Sequence, residues 1–202
     1  MTDLRLHRAA ATGDLALITA LLAEELPIDG RDDDGRTPVL VATVARQTAA
    51  VRALVEAGAD IDIRDNRLDN PFLYAGAEGL VDILRLVNEA GADPAITNRY
   101  GGIALIPACE RGHVEVVRYL LEESDVDVDH VNNLGWTGLL EAIILGDGGA
   151  AHQEIVRLLL ENGADPDLAD RDGVTPLTHA RARGWAAHCG SGRPRLRGGK
   201  HP

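Results

Sequence analysis

"ENGADPDLADRDGVTPL", residues 161–177, repeats a line already written at 56–72, "EAGADIDIRDNRLDNPF". Glu, Gly, Ala, three Asp and Pro fall at matching places in two lines of equal length. With Gly35 of "DDGRTPVL" as a marker, the equivalent positions are Leu68, Gly101, Gly135 and Gly173, at steps of 33, 33, 34 and 38 residues. One further step of 33 toward the N-terminus places "LRLHRAAATGDL", residues 4–15, in the same frame. Self-similarity at such a period marks units that stack, each too small to bury its own apolar face.

Within each unit the punctuation is that of two helices. Thr37-Pro38 and Thr175-Pro176 read as helix openings, because the Thr hydroxyl accepts from an orphan N–H and Pro fits the first helical position. A short Ala-rich helix follows and ends near Gly13, Gly79, Gly112 or Gly146. The second helix sets apolar residues at i, i+1, i+4 and i+5, as in Leu17, Ile18, Leu21 and Leu22 or Ile155, Val156, Leu159 and Leu160. That spacing gives one buried face. The helix stops at Gly58, Gly91 or Gly163, where glycine takes the left-handed conformation that closes a helix. Alanines 9, 42, 75, 108, 142 and 180 recur at one place in every unit and predict close helix approach there.

Composition agrees with closely packed helices. Apolar residues make up 45% of the 202 and aromatics only 3%, so small aliphatics carry the core. Removing the six bases of residues 181–202 from the total of 20 leaves 14 against 32 acids, a body of charge −18. Such a body repels phosphate backbones and argues against nucleic acid as a ligand. Two distant cysteines, Cys109 and Cys189, make no disulfide framework and point to a reducing compartment. The opening "MTDLRLHRAA" lacks the apolar core of a signal peptide, and no apolar run approaches membrane-spanning length. A cytoplasmic location is expected. Nineteen arginines against one lysine suggest the codon bias of a GC-rich bacterial genome.

"GRTPVLVA", "RGHVEVVRYLLEE" and "NGADPDLADRDGVTPL" resemble the ankyrin repeat, from residue 4 to about 184. The resemblance implies an all-α solenoid of stacked helix-turn-helix units with projecting hairpin fingers. The expected division is one domain, 4–188, with units at about 4–31, 32–64, 65–97, 98–131, 132–169 and an incomplete 170–188. Residues 189–202, rich in Gly, Arg and Pro, read as a disordered basic tail.

Departures from the pattern are specific. Leu68 stands where the finger glycine belongs, so that turn must differ or be strained. Ile103-Ala104 replaces Thr-Pro, Arg46 replaces an interhelical glycine, and Asn88 takes an apolar slot. "DGGAA" at 147–151 is an insertion, either a tolerated loop or a partner-specific projection.

Chemistry has little to build on. The sequence holds no Gly-x-Ser-x-Gly, no phosphate-cradling glycine loop and no His-Glu-x-x-His. The scattered histidines read as capping and turn hydrogen bonds, and Cys109 as a small core residue in preference to a reactive thiol. The acidic runs at 29–36 and 125–130 lack EF-hand spacing and read as solvated finger tips. No cofactor or metal is expected.

The resemblance also implies a site, since ankyrin proteins usually recognise partners with the finger tips and the adjacent end of the first helix. Carried over by position, this gives Asp33 and Arg36, then Asn66, Arg67, Asp69 and Glu78. The next unit supplies Arg99, Tyr100, Glu110 and Arg111; the following ones supply Asn133, Trp136 and Leu145, then Arg171 and Arg183. Trp136 is read either as a partner contact or as packing over the next finger. The expected function is a non-catalytic protein-interaction module, an adaptor or inhibitor acting as a monomer. Its C-terminal end, poorly capped, leaves self-association open. A small metal-dependent or thiol enzyme, or a groove for a small ligand, are the alternatives.

Overall fold

In the computed structural model, which describes residues 3–185, the Thr-Pro openings behave as their chemistry dictates. Thr37 and Thr175 accept from the backbone N–H three residues on, at 3.4 and 3.3 Å, and Thr137, which precedes Gly138, does so at 3.3 Å. Asn70 does the same in its unit, at 2.8 Å. Ile103-Ala104 leaves the fourth such helix without a side-chain cap.

Eleven helices are described: α1 (Arg5–Thr12), α2 (Leu15–Ala23), α3 (Pro38–Val44), α4 (Thr48–Glu56), α5 (Pro71–Ala77), α6 (Val81–Glu89), α7 (Leu105–Glu110), α8 (Val114–Glu123), α9 (Gly138–Ile144), α10 (Ala150–Glu161) and α11 (Pro176–Ala182). No strand is formed among the described residues. The odd-numbered helices contact one another in succession and form one row; α2, α4, α6, α8 and α10 form a second. This is an all-α solenoid. The basic tail, 189–202, lies outside the described residues, as do the last residues assigned to the sixth unit.

The two rows share one continuous core. Ala9, Ala42, Ala75, Ala108, Ala142 and Ala180 are all buried, as their recurrence predicts. A close helix approach is at Gly76 of α5, where a Cβ would lie 2.8 Å from the Ala104 Cβ and 3.1 Å from its carbonyl oxygen.

Each finger is a tight turn closed by two backbone bonds. In the first, Asp32 N–H donates to the Arg36 carbonyl at 3.0 Å and Gly35 N–H to the Asp32 carbonyl at 2.9 Å. The fingers at 65–69, 98–102, 132–136 and 170–174 repeat both bonds. The marker position has φ between +62° and +85° in all five, so the turn requires the left-handed conformation even at Leu68. The finger therefore does not differ there; the leucine carries the strain. Arg46, at φ +59°, does likewise between α3 and α4. Left-handed backbone costs an L-residue about 1–2 kcal/mol, part of which glycine's greater unfolded entropy cancels. Leu68→Gly is thus expected to stabilise the chain by about 0.5–1 kcal/mol, raising Tm by roughly 2 °C. A thermal melt checks it, and an unchanged or lower Tm would mean that Leu68 packing outweighs the strain.

The insertion is absorbed locally. Asp147 Oδ1 accepts from Gly149 N–H and faces His152 Nδ1, both at 2.8 Å. Ala150 and Ala151 become the first turn of α10. The Trp185 indole packs against Gly148, 2.8 Å from where a Cβ would stand.

Candidate functional site

What holds the fingers in shape is one Asp or Asn at the base of each: Asp32, Asp65, Asn98, Asn132 and Asp170. Every one uses Oδ1 to accept from the N–H groups two and four residues on, at 2.8–3.1 Å. A short acceptor side chain satisfies the turn's inner donors, which is why these residues favour such places. They stand three positions before the finger marker, a periodic signal that reading for glycines alone misses.

Neighbouring fingers are then tied together. Asn66 N–H donates to the Asp34 carbonyl at 2.9 Å and Asn133 N–H to the Tyr100 carbonyl at 2.8 Å. Arg31 reaches the Arg64 carbonyl at 2.6 Å, and Arg64 reaches that of Thr97 at 2.9 Å. The histidines join units in the same way. His113 Nε2–H donates to the Ala77 carbonyl at 3.1 Å, and His152 Nε2–H to that of Glu110 at 2.9 Å. A rigid row of finger tips results.

Between that row and α3, α5, α7 and α9 runs a groove of about 710 Å³. Of the residues expected at a site, it gathers Arg36, Asn66, Arg67, Asp69 and Glu78 at one end. Arg99, Tyr100, Glu110, Arg111 and Leu145 line the rest. Asp33, Asn133, Trp136, Arg171 and Arg183 do not line it. Trp136 is half-buried. The Arg171 side chain lies over Gly135. Arg183 bonds the Ile144 and Gly146 carbonyls at the end of α9, a helix-capping position. Arg111 does the same for Ala77 at 2.8 Å and also holds Glu78 at 2.5 Å.

The groove also holds residues that positional analogy missed: Tyr74, Leu134 and Glu141. Tyr100, Leu134 and Leu145 are 53%, 52% and 48% exposed. These large side chains stand open on one concave surface. The Arg99 guanidinium lies 4.6 Å from the centre of the Tyr100 ring, a cation–π pair. Asp69 is pushed above the ordinary carboxylate range by burial first and by Asp65 second, against Arg99, Arg67 and Arg111.

Cys109 sits under this surface, fully buried. Burial, with the Glu141 carboxyl behind it, drives the thiol far up and keeps it protonated. Among the described residues no three metal-ligating side chains converge.

The sequence profile described as ankyrin repeats (3 copies) matches residues 5–65 and 72–170. The chain belongs to the ankyrin-repeat family. This ankyrin-repeat protein is 44% identical over 177 residues to the putative ankyrin repeat protein YahD of Escherichia coli K12, with 88% of each chain covered. It is 56% identical to an ankyrin repeat domain from Acinetobacter baumannii AYE, with a TM-score of 0.87 over 90% of this chain and 92% of that one. The ankyrin repeat domain of Bcl-3, described as a unique member of the IkappaB family, is 27% identical with a TM-score of 0.81, covering 90% of this chain and 81% of its own. Ankyrin-repeat proteins are generally protein-interaction modules, and the repeat fold is typically a non-catalytic scaffold. No described helix is long and apolar enough to cross a membrane.

Proposed function

We propose that this ankyrin-repeat protein is a non-catalytic adaptor or inhibitor, acting as a cytoplasmic monomer, that holds one protein segment in the groove between finger tips and inner helices. In this reading residues 4–188 act as a single domain of five complete units and an incomplete sixth. The observation that carries it is the grouping of three half-exposed apolar side chains, Tyr100, Leu134 and Leu145, among arginines and carboxylates on one rigid surface. Tyrosine and arginine beside apolar contacts are the residue types that most often dominate interface energy, and mixed charge around them selects the partner. A preformed groove also spares the ordering of the receptor on binding.

Affinity capture from the host tests this, comparing the wild-type chain with a Tyr100→Ala/Leu134→Ala double variant. Both side chains are more than half exposed, so Tm is expected to stay within a few degrees. A partner retained by the wild type and lost by the double variant is the expected result. If the partner stays bound to both, recognition lies elsewhere, with Trp136, Asn133 and Arg171 the next surface to alter.

A further inference from the structure

One carboxyl in this groove has no structural counterpart in the other units. Glu141, in the middle of α9, is only 4% exposed yet lines the groove wall. Its Oε1 accepts from Asn132 Nδ2 at 2.9 Å, and no donor among the described residues bonds its second oxygen. Nor does any described guanidinium or imidazole form an ion pair with it. Arg111, which lines the groove, is engaged with Glu78 and Ala77, and Arg183 with the end of α9. On the neighbouring helix of the same wall Glu110, the exposed last residue of α7, adds a second carboxylate. Leu134 and Leu145 line the same groove as exposed apolar surface.

Two carboxyls without an ion-paired cation among the described residues, in a groove that also exposes aliphatic side chains, complement one kind of group. A lysine or arginine has an apolar stem and a charged, hydrogen-bonding head. We propose that this end of the groove seats one basic side chain of a bound protein segment, its stem against Leu134 and Leu145 and its head between Glu110 and Glu141. The inference rests on the groove being a protein-binding site.

The seat has a pH signature. Burial first, and the Glu110 charge second, push Glu141 up to about 7, with the Asn132 hydrogen bond opposing them. The other groups on the packed elements are committed. Cys109 on α7 is protonated, His152 on α10 holds Asp147 and the Glu110 carbonyl, and His179 on α11 holds Asp170. A bound cation favours the ionised form of Glu141. In the free chain that form rises from roughly a tenth at pH 6 to nine tenths at pH 8. Affinity for a basic segment should therefore strengthen about tenfold between these values.

A displayed library of random peptides, selected at pH 8 on the full chain, tests the proposal. Peptides are assigned to the groove when Tyr100→Ala/Leu134→Ala abolishes their binding. These are expected to carry Arg or Lys, to bind Glu141→Gln and Glu110→Gln at least tenfold more weakly, and to lose their pH dependence in Glu141→Gln. Gln keeps the acceptor that Asn132 needs and removes only the charge. Glu110 is exposed, so its variant holds the fold even where the buried one does not. Groove peptides lacking a basic residue, or indifferent to both substitutions, overturn the seat and leave the groove as a binding site. A library yielding no groove-dependent peptide overturns both.

Discussion

Phe72→Ala is expected to remove about 3–5 kcal/mol of stability and to split unfolding into two steps. Phe72 lies at the start of α5 with 1% of its surface exposed, among the largest fully buried side chains in the chain. Its helix is the link between α3 on one side and α7 on the other. In a stacked array each unit is stabilised almost wholly by its neighbours, so a cavity in a middle unit weakens both adjoining interfaces. Set against a typical total of about 5–15 kcal/mol, the loss is large enough to uncouple the two ends.

The measurement is already built into the sequence. Trp136 and Trp185 both lie C-terminal to α7, so tryptophan fluorescence follows the late units while far-UV circular dichroism follows every helix. In urea the wild type should show coincident curves by the two probes. The variant should show them apart. A single coincident transition displaced by less than about 1 kcal/mol would mean that nearest-neighbour burial does not hold this stack together.

The second large effect is at Glu141, whose buried carboxyl titrates in the folded chain at about 7 against an ordinary value of 4.5. Below the lower value both states are protonated and the group is neutral with respect to stability. As pH rises from 4.5 to 7 the unfolded chain releases the proton while the folded chain keeps it, so stability falls with pH through that window. Above 7 the folded chain carries a buried charge, and the loss levels off at about 3 kcal/mol. Glu141→Gln removes this penalty without removing the acceptor for Asn132. It should raise Tm by several degrees at pH 8 and leave it nearly unchanged at pH 4.5. Equal shifts at both pH values would assign the effect to packing and not to charge.

This stabilisation bears on function. A group that lowers stability at neutral pH, in a groove and without an ion-paired cation among the described residues, fits the proposed binding role. The two predictions therefore separate cleanly: Phe72 holds the scaffold, whereas Glu141 weakens it at the surface proposed to meet the partner.

The sequence by itself determined the unit, its period and its two helices, because those depend on contacts between residues a few positions apart. Thr37-Pro38, the recurring alanines and the finger glycines act on their own turn or helix, and a linear pattern records them. The same locality makes the bases of the fingers at Asp32, Asp65, Asn98, Asn132 and Asp170 legible as Asx turns at the same period. It was tertiary structure that decided the site. Tyr74, Leu134 and Glu141 enter one groove only because successive units are laid side by side at a fixed spacing, while Arg183 turns back to the carbonyls of α9. Leu68 could have altered its finger or endured it; the bonds from Asn66 to the neighbouring finger and the closed turn beneath hold it at positive φ. Which way a side chain faces, and what charge stands opposite it, is set by partners some 33 residues away, and no local pattern encodes that distance.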